Sequence, residues 1–214
     1  AAHSGFKTVI IDKGDVGFCT STKSTQLLHC GLRYLEFFEF PLVRESVRER
    51  TWYFKRFPHR VKPQAFILPI FKKNKFQNFK LWVGLWVYHV LVRFRNKIHH
   101  YVSLRKLSRE QPKLELKNLS GGLLYFDGQT HDSRLCVELM LQAQSMGVEF
   151  LTYQEIEKIK HDSEEIQISL VSGQMIVSKV LINATGPWID QLKRMYLNQS
   201  SRMIRQTKGI HLWV

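Results

Sequence analysis

Apolar and polar positions follow two different periods along this chain. Lys7–Asp12 is a short β-branched apolar run between Gly5 and Gly14, which predicts a buried parallel strand. Ala1–Ser4 reads as the tail of a helix, with Gly5 closing it. From Pro41 to Phe57 the period changes to that of a helix. Leu42/Val43, Val47, Phe54 and Phe57 fall on one face, and Arg44, Glu45, Arg48 and Glu49 on the other. Pro41 suits its first turn, and Pro58 stops it. Gln64–Phe71 predicts a strand that carries a proline, hence one at an edge or a bulge.

The second half is richer in strands. Ser103–Pro112 predicts a short polar helix, Leu114–Ser120 a linker, and Gly121–Phe126 a strand running into an Asp127-Gly128 turn. Asp132 or Ser133 caps a helix that runs to Met146 and ends at Gly147. Leu135, Leu139, Gln142/Ala143 and Met146 trace one face of it. Val148–Tyr153 predicts a strand of the βαβ kind. Glu155–Lys160, Ile166–Val171 and Met175–Ile182 are closely spaced, with Ser172-Gly173 between the last two, and predict a small antiparallel insertion. Asn183–Trp188 then turns the chain with small residues, and Pro187 opens another helix.

Leu81–Val92, LWVGLWVYHVLV, is too short for a transmembrane helix, which needs about 20 apolar residues. Lys72, Lys73, Lys75 and Lys80 precede it, and Arg93, Arg95 and Lys97 follow. Trp82, Trp86 and Tyr88 are aromatics of the type favoured at a lipid interface. A monotopic contact with anionic membrane and a helix packed on its own domain both fit.

The chain has 214 residues, 44% of them hydrophobic, which allows one large domain or two small ones. A net charge of +14 favours anionic partners of some kind: lipid, nucleic acid or substrate. Three cysteines without a C-x-x-C make neither a disulfide framework nor a zinc site, so no metal is expected. No basic segment followed by an apolar one marks a signal peptide at the start.

The densest chemistry lies in Gly14–Glu36, GDVGFCTSTKSTQLLHCGLRYLE. Five hydroxyl side chains between Thr20 and Thr25, beyond the end of a strand, suit a phosphate-bearing ligand. His29, Arg33 and Tyr34 add groups for binding or proton transfer. A Ser/Thr-rich surface loop with a helix cap is the plainer reading of the same residues.

TSTKSTQLLHCGLRYLE closely resembles the T-S-S-x-S-[ST]-K-L-[IL]-H-G-G-[LV]-R-Y-L motif of FAD-dependent glycerol-3-phosphate dehydrogenases. Tyr125–Leu135 (YFDGQTHDSRL), Ile182–Trp188 (INATGPW) and Thr207–Val214 (TKGIHLWV) resemble further pieces of that family in the same order. The chain departs from the pattern at Gln26, usually Lys, and at Cys30, usually Gly. The resemblance implies an α/β fold: a discontinuous Rossmann-like FAD-binding domain, about 1–58 and 121–199, with a β-containing substrate or cap domain, about 61–120 and 200–214.

It also implies the chemistry: oxidation of sn-glycerol 3-phosphate to dihydroxyacetone phosphate, with electrons passing through FAD to quinone, or to oxygen in some relatives. The residues implied for FAD are Asp12, Thr20, Ser21, Ser24, Thr25, Leu28, His29, Gly31, Ala184 and Gly186. Arg33 and Tyr34 are implied for the substrate phosphate, because an Arg fork matches it. His211 is the candidate base, since imidazole titrates near neutrality, and a histidine merely flanking a strand is the alternative. A peripheral position follows, on the cytoplasmic face of a membrane or on the inner mitochondrial membrane, without nucleic acid and with a homodimer left open.

If Asp12 takes a ribose, the glycine-rich turn should precede it by roughly 20 residues. No G-x-G-x-x-G lies ahead of it, and the family continues well past the last match, so the chain reads as a fragment. A truncated flavoprotein without activity, or a basic module that binds lipid or nucleic acid, are the competing readings.

Overall fold

A computed structural model describes residues 1–29, 34, 37, 39–73, 75–91, 100–162, 164–197, 201–207 and 209–210. It shows a mixed α/β protein in two compact units. One unit is formed by Ala1–Ser24 with Asp132–Val214, and the other by Thr25–His131. The expected domains divided the chain near 58, 120 and 199; the compact units divide it after Ser24 and after His131. The difference follows from one strand. The strand Leu119–Thr130 pairs along Val61–Phe71 and with Leu27–Leu28, which ties all three segments into one unit.

In the first unit, β1 (Val9–Ile11) pairs in parallel with β6 (Glu149–Leu151), as the βαβ pattern predicts. The preceding turn is a 3-10 helix, Ala2–Ser4, and Gly5 closes it with φ 84°. α4 (Asp132–Ser145) leads into β6 through Gly147, whose φ of 83° favours glycine. β7 (Ile156–His161), β8 (Ile166–Leu170) and β9 (Met175–Ser178) form the expected antiparallel meander. Ile159, Ile168, Leu170 and Leu192 are its buried centre, and Ile11, Leu151, Leu181 and Tyr196 pack against them. Leu192 and Tyr196 come from α5 (Ile189–Leu197), so this small core anchors the meander to the end of β1.

One expectation fails here. The last strand was expected to reach Ile182, but β9 stops at Ser178. A ladder needs a partner, and among the described residues β9 pairs along Ile166–Ser169 of β8 alone. Val180 and Ile182 are left 72% and 73% exposed.

In the second unit, β5 (Leu119–Thr130) is the central strand of its sheet. β3 (Val61–Phe71) lies along one side of it; β2 (Leu27–Leu28) and β4 (His100–Ser103) also pair with it. Among the described residues β3 pairs with β5 alone, so Pro63 and Pro69 sit on an edge, and the register shifts at Ile70/Phe71. α1 (Phe40–Arg56) and α2 (Lys75–Leu91) contact one another and β3. α3 (Leu104–Glu110), capped by the Ser103 hydroxyl, lies on β4 and β5. Its Leu107 comes so near Gly122 that a side chain there would meet Leu107 and Ile67.

The second correction concerns Asp127-Gly128. No turn forms there, and β5 runs through both residues. Asp127 is buried, and Arg50 Nη1 of α1 donates to its Oδ1 at 2.6 Å. Gly128 pairs with Leu28 on one side and Pro63 on the other. A Cβ on it would lie 3.0 Å from that of Leu28. The glycine thus serves close packing and not a bend.

Removing one partner of a buried ion pair leaves an uncompensated charge. We therefore expect Asp127→Ala to destabilise the second unit by about 3–5 kcal/mol in urea unfolding. A loss below about 1 kcal/mol, the scale of an exposed pair, would contradict the assignment.

Candidate functional site

The chain leaves β1 at Asp12, and the polar groups of the next residues are satisfied locally. Asp12 N–H donates to Leu151 O at 3.0 Å, and Gln154 N–H donates to Asp12 O at 3.0 Å. Gly14 N–H donates to the Asp12 carboxylate at 2.9 Å, and Tyr153 N–H to Gly14 O at 3.2 Å. The bend at the carboxyl end of β1 is thereby stitched to the end of β6. Asp12 itself stays exposed, with its second carboxylate oxygen turned to no hydrogen-bond donor among the described residues.

A second bend meets this one. Lys13 Nζ stands 4.2 Å from the centre of the Trp188 ring, a cation–π contact. Trp188 ends the 3-10 turn Gly186–Trp188, and Asn183 organises the stretch before it. The Asn183 Oδ1 accepts from Thr185 Oγ1 at 2.7 Å and from Thr185 N–H at 3.3 Å, while its Nδ2 donates to Ile189 O at 3.0 Å. An amide side chain holding its own backbone two residues on is an Asx-type turn. Gly186 has φ 54°, and a Cβ there would meet nothing within 4 Å. Ala184 and Gly186 are both exposed.

The hydroxyl-rich bend has a different surrounding. It starts with a 3-10 helix, Cys19–Thr22. Ser24 Oγ donates to the Asp132 carboxylate at the start of α4, and Ser21 bonds the Cys136 thiol one turn further on. These two hydroxyls therefore fasten the bend to α4. Thr20 is exposed. An open groove of about 330 Å3 beside it is lined by Asp15, Val16, Phe18, Thr22, Ser133, Arg134 and Val137. It joins one guanidinium to one carboxylate, which is not a built phosphate site.

The remaining expected residues lie in the second unit or outside the description. Thr25 and His29 are exposed; Leu28 pairs with Gly128. Tyr34 is half-buried, and its carbonyl accepts from Glu39 N–H at 3.1 Å. Gly31, Arg33 and His211 lie outside the described residues. Lys13, Asn183 and Cys136 were not singled out from the sequence as site residues, and Asp132 was read there only as a helix cap. Asn183 had a local signal, a hydrogen-bonding side chain two positions before Thr185; the other three act through distant partners.

Whether these groups suit a dinucleotide rests on two observations. The Asp12 carboxylate presents an oxygen at the carboxyl edge of a parallel pair, where a ribose diol can donate to it. The open space over Gly186 admits a ligand against the backbone. The residues fit that group at its ribose end.

A model of the family described as FAD dependent oxidoreductase matches residues 1–214. The aerobic glycerol-3-phosphate dehydrogenase of Bacillus subtilis (strain 168) is 31% identical over 219 residues, 99% of this chain and 40% of that protein. The alpha-glycerophosphate oxidase of Enterococcus casseliflavus is 34% identical over 226 residues, 100% of this chain and 37% of that protein. The X-ray structure of the glycerol-3-phosphate dehydrogenase from Bacillus halodurans, complexed with FAD, matches with a TM-score of 0.65 at 24% identity, covering 91% of this chain and 32% of that one. The chain spans about 40% of the length of the curated dehydrogenase it matches.

Burial raises the Cys136 thiol above its ordinary range; the Ser21 hydroxyl opposes this and Asp132 adds to it. A raised pKa leaves less thiolate near neutral pH and slows alkylation. With Cys19 and Cys30 replaced by Ser, the pH profile of iodoacetamide labelling at Cys136 should lie above that of a peptide thiol. Ser21→Ala should move it higher still. A profile at or below the peptide's, or one moved down by Ser21→Ala, would contradict the packing of the bend on α4.

Proposed function

This chain belongs to the FAD-dependent oxidoreductase family, and from that premise we propose that it forms the dinucleotide-holding part of a glycerol-3-phosphate dehydrogenase. The reaction is oxidation of sn-glycerol 3-phosphate to dihydroxyacetone phosphate, with a membrane quinone as acceptor. The observation that carries the cofactor half is the meeting of the Asp12 bend and the Asn183–Trp188 bend through Lys13 and Trp188. Substrate identity is supported by relatives at 31% and 34% identity whose names are those of glycerol-phosphate enzymes.

In this reading Asp12 accepts from ribose hydroxyls. Ala184 and Gly186 give the cofactor an approach to bare backbone, and Thr20 and Thr25 offer hydroxyls to its phosphates. Ser21 and Ser24 hold that bend in place. The Arg33 guanidinium takes the substrate phosphate as a two-pronged donor, with the Tyr34 phenol beside it. His211 takes the hydroxyl proton of the substrate carbon being oxidised. When bound, FAD supplies the two-electron acceptor for the hydride from that carbon. We locate the activity at a membrane surface, cytoplasmic or inner mitochondrial. The oxidase among the relatives makes oxygen the competing acceptor.

Anaerobic mixing of the FAD-reconstituted chain with sn-glycerol 3-phosphate tests the substrate. The oxidised flavin band should bleach, glycerol at equal concentration should leave it unchanged, and Arg33→Ala should lower kcat/KM by about tenfold to a hundredfold. Equal bleaching by glycerol, or an Arg33→Ala protein with unaltered kinetics, would overturn it.

A further inference from the structure

The helix α2 is apolar on the face it turns to water as well as on the one it buries. Asn78, Leu81 and Leu85 occupy the face turned inward: Leu85 is 1% exposed, and Asn78 Nδ2 donates to Phe71 O at 2.7 Å. The outward face carries Phe76, Phe79, Trp82, Val83 and Trp86, with Phe76 and Phe79 at 72% and 62% exposure. A helix that met only water would place polar groups there. Trp82 and Trp86 stand edge to face at 5.9 Å, so the aromatics form one continuous strip. Among the described residues no helix is long and apolar enough to cross a membrane.

Charge says what covers the strip. Residues 50–109 hold fifteen Lys and Arg and no Asp or Glu, whereas the rest of the chain holds seventeen cations and eighteen acids. The protein's positive charge is therefore concentrated in the segment that contains α2. Lys72, Lys73 and Lys80 are exposed at the start of the strip, and Lys80 Nζ lies 4.6 Å from the centre of the Phe76 ring. A cation on an apolar stem beside interfacial aromatics suits a boundary between hydrocarbon and anionic headgroups. At about 25 Å for its 17 residues, α2 can lie flat in that boundary.

We propose that the outward face of α2 is a monotopic docking surface for anionic lipid, entered by Phe76, Phe79, Trp82 and Trp86 and steered by Lys72, Lys73 and Lys80. This gives a surface to the peripheral association proposed above and rests on that reading only for its partner. Phosphatidylglycerol headgroups supply the continuous negative charge that the acid-free segment lacks.

Flotation of the 214-residue chain with vesicles tests it, using phosphatidylcholine alone and phosphatidylcholine with phosphatidylglycerol, with tryptophan emission read in parallel. The chain should float with the anionic vesicles, with a blue shift. Phe79→Ser with Trp86→Ser should weaken partition tenfold or more. Lys72→Glu with Lys73→Glu, both at exposed positions, should weaken it on the order of tenfold while preserving the fold and its circular dichroism. A chain that stays soluble with both compositions overturns the proposal, and so does either double variant binding as the wild type does. Sedimentation as a dimer that the aromatic variant dissociates, with no flotation, assigns the strip to a second copy. Loss of oligonucleotide binding in the charge variant, with no flotation, assigns it to nucleic acid; both outcomes overturn the lipid assignment. The assay needs neither flavin nor substrate, so a chain that floats but takes up no FAD sinks the cofactor-holding reading and leaves this one standing.

Discussion

Buried or bent backbone cannot leave its polar groups unsatisfied, and the end of β1 shows how this chain meets that constraint. Where the chain leaves the β1–β6 pair, Leu151 O, Gln154 N–H and Tyr153 N–H satisfy Asp12 and Gly14, and the Asp12 carboxylate satisfies the amide that remains. The bend is fixed by its own carboxylate and by backbone atoms from the end of β6. An acidic side chain at the carboxyl edge of a parallel pair is then presented outward. The positions of Lys13 and Trp188 follow from that fixed bend.

The same device recurs at Asn183. Its amide ties Thr185 and Ile189 to itself, which lets the chain pass from an extended stretch into α5 around an open glycine. Further along, the Asp190 carboxylate accepts from Met203 N–H at 2.8 Å and folds the following segment back on α5. In the second unit the equivalent role falls to a distant pair. Arg50 reaches Asp127 across 77 positions and pins α1 to β5. Local side-chain turns thus shape the bends after β1 and before α5 in one unit, and a buried ion pair secures the sheet of the other.

This contrast explains what could be read from residues alone. The β-branched run before Asp12, the αβ step through Gly147 and the closely spaced strands after Tyr153 are local patterns, and each element formed within its pattern, β9 ending short of its own. Asp127-Gly128 was misread because its local chemistry favours a turn, while its fate was decided by Arg50 and Leu28. The end of β9 was misread because an apolar run records burial preference and not the presence of a ladder partner. Ser21 and Ser24 were legible as hydroxyls, but their attachment to Cys136 and Asp132 depends on α4, more than a hundred residues away. The apolar run of α2 was visible too; which of its faces turns outward depends on how α1 and β3 cover the other.

The central claim is that the Asp12 bend is built to hold the ribose of an adenine dinucleotide. Titrating FAD into the chain and following quenching of flavin fluorescence tests this directly. The account predicts saturable binding at one FAD per chain, weakened about tenfold or more by Asp12→Ala, as expected for loss of charge-assisted hydrogen bonds. No saturable binding, or equal affinity in the Asp12→Ala protein, would contradict it.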